Sequence, residues 1–192
     1  GVIAGHDVNL AAGADLLNER TVTTHESASA YRTERSDFVD SAARIESANA
    51  LTLQAGANLN NVGGVLKSGA DTTAQAVGDV NISASQTLDS GAIGTRSNYK
   101  TIAQQGSVVE AGRDLHVVAG RDISIVASQV QATRDINLVA TRDFNAGAAA
   151  NEQHSTFNSK KVKRIEDHVQ QVSSVIKAGG DASLSAGQDL QL

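Results

Sequence analysis

No cysteine, proline, methionine or tryptophan occurs in the 192 residues, and aromatic side chains make up 3% of them. With so few large rings, much of the 40% apolar fraction is alanine and valine, which fill a narrow interior rather than a wide core. The missing cysteine suits a secreted chain that must stay unfolded during export, although a cytosolic chain could equally lack it. The missing methionine leaves no start residue, so the sequence is expected to be a piece of something longer. No run of about 20 apolar residues exists to form a membrane-spanning helix, and no signal peptide is visible. Positive charge is in deficit, with 16 Lys and Arg against 21 Asp and Glu. The net charge of −5 argues against a general nucleic-acid binder. Disorder is not indicated, because apolar alternation persists for most of the length.

What is present is a recurring phrase, clearest at Ala111-Gly112-Arg113-Asp114-Leu115-His116-Val117-Val118-Ala119-Gly120-Arg121-Asp122-Ile123. It recurs at residues 4–16, 48–59 (with Ala50 and Asn58 at the Asp positions), 68–80, 133–144 and 178–190. Leu115 and Val117, then Ile123, Ile125 and Ala127, then Val130 and Ala132 alternate with polar residues, which is strand periodicity. Asp114 to Asp135 and Asp122 to Asp143 each span 21 residues. Three short strands per 21 residues describe one coil of a parallel β-helix, an all-β solenoid.

A longer period overlies this one. Asp7, Asp71 and Asp135 lie 64 residues apart, so the unit is two regular coils plus about one coil's worth of atypical sequence. The chain is expected to be one β-helix of about three such units over 1–192, with atypical segments near 17–44, 86–107 and 145–174. These hold Tyr31, Phe38, Tyr99 and Phe157, four of the five aromatics. Irregular extra coils or β-hairpins standing off the solenoid would both fit, and hairpins are favoured. In the third segment Val162, Ile165, Val169, Val172 and Ile176 also fit a helical spacing, but alignment with the other two segments favours extended chain.

Few side chains suggest chemistry. Asp7, Asp71, Asp79, Asp114, Asp122, Asp135, Asp143 and Asp181 form a ladder, but one carboxylate per turn falls short of the six to eight oxygens calcium needs. They are expected to accept hydrogen bonds from their own turn backbone and to tolerate left-handed geometry. Arg113, Arg121, Arg134 and Arg142 each precede such an Asp. Like charges would stack coil on coil, and diagonal pairing with neighbouring Asp columns can offset the repulsion. Lys160, Lys161, Lys163 and Arg164 form the one dense basic patch, with Glu166 and Asp167 close behind. With the four aromatics, these cations are the candidate partner contacts, suited to lipopolysaccharide, anionic lipid or a sulfated glycan. His6, His25, His116, His154 and His168 show no metal-ligand spacing, and there is no nucleophile elbow, P-loop or dinucleotide fingerprint. No catalytic residue, metal or cofactor is expected; a polysaccharide lyase would need clustered acids and bases on one face, and none is seen.

The phrase at 111–123, with Leu59-Asn60-Asn61-Val62-Gly63-Gly64-Val65-Leu66, resembles haemagglutinin repeats of the filamentous haemagglutinin family. That family comprises two-partner-secreted exoproteins and includes the effectors of contact-dependent growth inhibition. Interruption by segments such as Ser97-Asn98-Tyr99-Lys100-Thr101 resembles the second of its two repeat classes. The resemblance implies a right-handed parallel β-helix, secreted through a dedicated outer-membrane transporter and displayed at the bacterial cell surface. It also implies a part in moving a C-terminal toxin across a target cell's outer membrane. An adhesin shaft binding host glycan or matrix, or a passive spacer, is the alternative. End-to-end self-association of the exposed solenoid ends would follow from the fold.

Overall fold

The alternating pattern is realised as six stacked coils in a computed structural model that describes residues 1–192. The first coil holds β1 (Val2–Gly5), β2 (Val8–Ala12) and β3 (Leu16–Glu19). A hairpin of β4 (Val22–Ala28) and β5 (Arg32–Val39) follows. Next come two coils, β6 (Arg44–Ser47), β7 (Leu51–Ala55), β8 (Leu59–Val62) and β9 (Val65–Ser68), β10 (Thr72–Ala76), β11 (Val80–Ser83). The second hairpin is β12 (Ser85–Ile93) and β13 (Ser97–Gln105). Two more coils contain β14 (Val108–Ala111), β15 (Leu115–Ala119), β16 (Ile123–Val126) and β17 (Gln129–Ala132), β18 (Ile136–Ala140), β19 (Phe144–Gly147). The third hairpin, β20 (Ala149–Asn158) and β21 (Lys163–Val172), precedes a last coil of β22 (Val175–Ala178), β23 (Ala182–Ala186) and β24 (Leu190–Gln191).

Corresponding strands pair in parallel, giving three six-stranded sheets, the architecture of a right-handed parallel β-helix. Register is strict, so inward side chains stack in columns. One column runs Leu10, Leu53, Ala74, Val117, Leu138 and Leu184; another is Ala12, Ala55, Ala76, Ala119, Ala140 and Ala186. An all-alanine column is what keeps the tube narrow, and it explains a composition poor in large rings. Burying one such Leu or Val contributes roughly 1.5–3 kcal/mol.

Two of the three corners carry the Asp residues. The expectation of own-turn hydrogen bonds in left-handed geometry needs correction. All but Asp181, which lies in the last coil, reach instead to the next coil, as where Asp71 Oδ1 accepts from Asp114 N at 3.2 Å and Asp79 Oδ1 from Asp122 N at 3.2 Å. Asp135 and Asp143 accept from Asp181 N and Asp189 N in the same way, and Asp7 accepts from Ala50 N at 3.1 Å. Left-handed φ occurs only at Gly63, Gly94 and Ala127, none of them at these corners. Coils 4.8 Å apart bring the carboxylate to the neighbour's orphan N–H, so between-coil bonding replaces the local turn. Arginines pair diagonally as well: Arg113 Nη2 lies 2.7 Å from Asp71, Arg121 Nη2 2.7 Å from Asp79, and Arg142 Nη2 2.6 Å from Asp122. Arg134 pairs with Asp114. At Gly120 the stacking is tight enough that a Cβ would sit 2.0 Å from the Val77 carbonyl oxygen.

The third corner alternates between two solutions. Ala127 and Ser128 close it in two residues, with Ala127 at φ 48°, and Gly63 (φ 58°) and Gly64 do so 64 residues earlier. Hairpins stand at the other three levels, two of them between the same two residue types, Ala84 and Ser107, then Ala148 and Ser174, and the first between Arg20 and Ala43. Ser128 Oγ donates to Val126 O at 2.8 Å. Ser107 Oγ donates to Ser83 O at 2.8 Å, and Ser174 Oγ to Gly147 O at 2.6 Å. Those carbonyls are neighbours in one column, so the same hydrogen bond closes the corner whether or not a hairpin has been inserted into it.

Candidate functional site

Hairpins leave the solenoid every second coil, an axial step of about 9.6 Å, and a hairpin is two strands wide, also about 9.6 Å. This match lets the three hairpins pair side by side into one antiparallel sheet, ordered β4-β5-β12-β13-β20-β21. β5 pairs with β12 through Ser36↔Asp89 to Arg32↔Ile93, and β13 pairs with β20 through Ser97↔Phe157 to Ile102↔Glu152. The third segment is therefore strand, with Val162–Ile176 spread over a tip turn, β21 and β22 rather than a helix.

Where each ladder ends, near the roots, a side chain takes over from the backbone. Leu88 N donates to Asp37 Oδ2 at 2.8 Å, and Gln104 N donates to Asn151 Oδ1 at 2.7 Å. The Thr24 hydroxyl, at 2.7 Å, and the Leu88 N–H hold the Asp37 carboxyl below its usual range, against the opposing effect of desolvation. The tips are joined too: Gly94 N donates to Tyr31 O at 2.8 Å, and Asn158 N to Arg96 O at 2.7 Å.

The register fixes the positions of the candidate contacts. Phe38, Tyr99 and Phe157 fall on one face of the hairpin sheet, at its root, middle and tip respectively. Tyr99 lies over Gly91, its cross-strand partner, where a Cβ would come within 2.6 Å of the ring. Tyr31 is in the tip turn of the first hairpin and 81% exposed. Lys160 and Lys161 occupy the tip turn of the third, and Lys163 and Arg164 open β21. Arg164 is paired with Glu166 and stands opposite Phe157.

Arg96 joins this group although nothing in the sequence marks it, because the tip-to-tip hydrogen bond sets it beside Asn158. A groove of about 560 Å³ lies at the joined second and third tips, lined by Thr95, Arg96, Phe157, Asn158, Ser159 and Lys160. Near the tips, Arg32, Arg96, Lys160, Lys161, Lys163 and Arg164 face only Glu34 and Glu166, six cations to two carboxylates in a chain of net charge −5. No group of three or more His, Asp or Glu side chains converges to hold a metal ion.

Residues 88–164, the second hairpin through most of the third, match the hemagglutinin repeat family. That stretch is similar to hemagglutinin repeats. A deoxyribonuclease CdiA of Dickeya dadantii (strain 3937) is 34% identical over 199 aligned residues, which cover 98% of this chain and 6% of that protein. The nuclease name belongs to the whole Dickeya protein, of which this chain spans a small part. No solved structure matches the chain.

Proposed function

We propose that this chain is a segment of a large secreted cell-surface filament, exported by an outer-membrane transporter of a two-partner system. In this reading the parent is a contact-dependent growth inhibition effector, and the segment helps pass its C-terminal toxin across the target cell's outer membrane. The observation that carries it is the similarity to CdiA along nearly the whole chain. The coils serve as shaft. The hairpin sheet, with both faces outward, offers contact surface to the target.

The corner geometry supplies a clean test. Deleting residues 149–173 joins Ala148 to Ser174 and reproduces the Ala-Ser link at 127–128, so the coils keep their closure. Installed in the parent, the deletion should abolish killing of target cells while surface display, measured by antibody labelling, stays normal. Normal killing with normal display overturns a delivery role for the third hairpin. An adhesive shaft is the second reading, favoured by the cationic rim at the hairpin tips.

A further inference from the structure

We propose that the groove between the second and third hairpin tips is a binding site for an anionic oligosaccharide. The charge arrangement points there. Nine of the 16 Lys and Arg side chains are in ion pairs within the chain. Seven are not: Arg20, Arg96, Lys100, Lys160, Lys161, Lys163 and Lys177. Arg20 is occupied otherwise, donating to Gly63 O at 2.9 Å. Four of the remaining six are at these two tips. The stack elsewhere matches nearly every guanidinium to a carboxylate, so this local surplus leaves charge for an outside anion.

The groove adds shape and a platform. Its lining has one ring, Phe157, 49% exposed and held in the β13–β20–β21 ladder between Ser97 and Arg164. An exposed ring whose backbone is fixed by two neighbouring strands can stack on the apolar face of a sugar. Arg96, from one hairpin, and Lys160, from the next, flank it on separate tips. A guanidinium forks onto a sulfate, phosphate or carboxylate, while the ammonium contributes point charge. Asn158 and the Ser159 hydroxyl supply neutral hydrogen bonds, although Ser159 Oγ already accepts from Val162 N at 3.0 Å. About 560 Å³ is room for a short stretch of saccharide rather than a single ion. Neither hairpin alone makes the site, because Arg96 comes from one and Phe157 and Lys160 from the other.

The site stands independently of the delivery reading and can be tested on the chain itself. A heparin-derived hexasaccharide is the probe, with uncharged dextran and vesicles of anionic phospholipid as comparators. Calorimetry should show hexasaccharide binding that weakens steeply with added salt, and none to dextran. Phe157→Ala should weaken it about tenfold, a loss of stacking rather than charge. Arg96→Gln and Lys160→Gln should each weaken it and flatten the salt dependence. Lys177→Gln, on a coil, should change nothing. All four are exposed positions, and an unchanged circular dichroism spectrum verifies the fold. No measurable hexasaccharide binding overturns the proposal. So does undiminished binding by Phe157→Ala, which would mark a diffuse charge patch, or binding to vesicles alone, which would mark a membrane surface.

Discussion

In the coil stack Leu53 and Leu138 are fully buried and Val117 is 2% exposed, whereas nine of the ten residues of β21 are exposed. Both regions are built on ladders of similar spacing. They differ in what the side chains do. Each coil strand turns one face onto a column of identical or similar residues. The hairpin strands turn both faces out and rely on backbone pairing, the Asp37 and Asn151 bridges, and, in the second and third hairpins, serine-closed roots. An isolated hairpin is marginal in water. The hairpins therefore depend on the coils to hold them two strand-widths apart, while the coils do not depend on the hairpins. Evolution of contact surface is free to act on one without unfolding the other.

Core truncation should break the two regions most unequally. Leu138→Ala should cost about 3 kcal/mol, from lost transfer energy and the cavity left behind. Val169→Ala, at a 61% exposed position in β21, should cost less than about 0.5 kcal/mol. Urea denaturation of both variants decides it, and comparable costs would mean that the hairpin sheet hides a face. Next in size is Gly120→Ala, whose Cβ must displace the Val77 carbonyl oxygen 2.0 Å away. A cost of about 1–3 kcal/mol is expected, typical of overpacking, in the coils alone.

The coils were readable because they obey two strict periods at once, alternation within a strand and 21 residues between levels. The 64-residue unit was also countable, from Asp7, Asp71 and Asp135. Hairpin pairing was not. Ser36 meets Asp89, 53 residues away, and no residue pattern announces such a contact, since any two strands of the right length and direction can pair. The Ala-Ser corner was present in the sequence at 127–128, but its hairpin-split copies, 84 with 107 and 148 with 174, are legible only after folding. The acceptor role of the Asp residues was readable and its target was not, because stacking distance rather than local sequence decides which N–H is nearest. Among the candidate contacts, Lys160 and Phe157 stood out by type. Arg96 is an isolated arginine that only the tip-to-tip bond makes part of a site.

Smaller effects should separate the two kinds of carboxylate. Asp37→Ala should unzip the first two hairpins near their roots, a local loss of about 1 kcal/mol for the hydrogen bond to Leu88 N. Hydrogen exchange should rise in residues 85–93 and stay unchanged in the coils; exchange rising everywhere would refute the independence of the two regions. The ladder carboxylates act on the coils. Hydrogen bonds from His6, Ala50 and Asn49 hold Asp7 at about 2, against 3.8 for a free side chain. Arg134 and Arg142 lower Asp114 and Asp122 in the same direction. Native pKa values below the unfolded ones give stability that is present above about pH 4 and is lost as pH falls toward 2. The urea midpoint of the coils should drop over that interval, and Asp7→Asn should shrink the drop.

The smallest effect tests the alternation at the third corner, through its sign. Ala127 occupies left-handed backbone, which costs a residue with a Cβ roughly 1–2 kcal/mol. Glycine there removes that strain but gives the unfolded chain more freedom, worth about 0.4–1 kcal/mol in the opposite direction. Ala127→Gly should therefore stabilise the chain slightly, by less than about 1 kcal/mol, as Gly63 already does at the equivalent turn. Ala84 and Ala148 begin hairpins at the same corner and do not have positive φ. At those positions glycine has no strain to relieve, so Ala84→Gly and Ala148→Gly should destabilise by about 0.5–1 kcal/mol. Thermal melts of the three variants give the signs. A shared sign would mean that the two-residue link and the hairpin root are one backbone geometry rather than two alternatives closed by the same serine hydrogen bond.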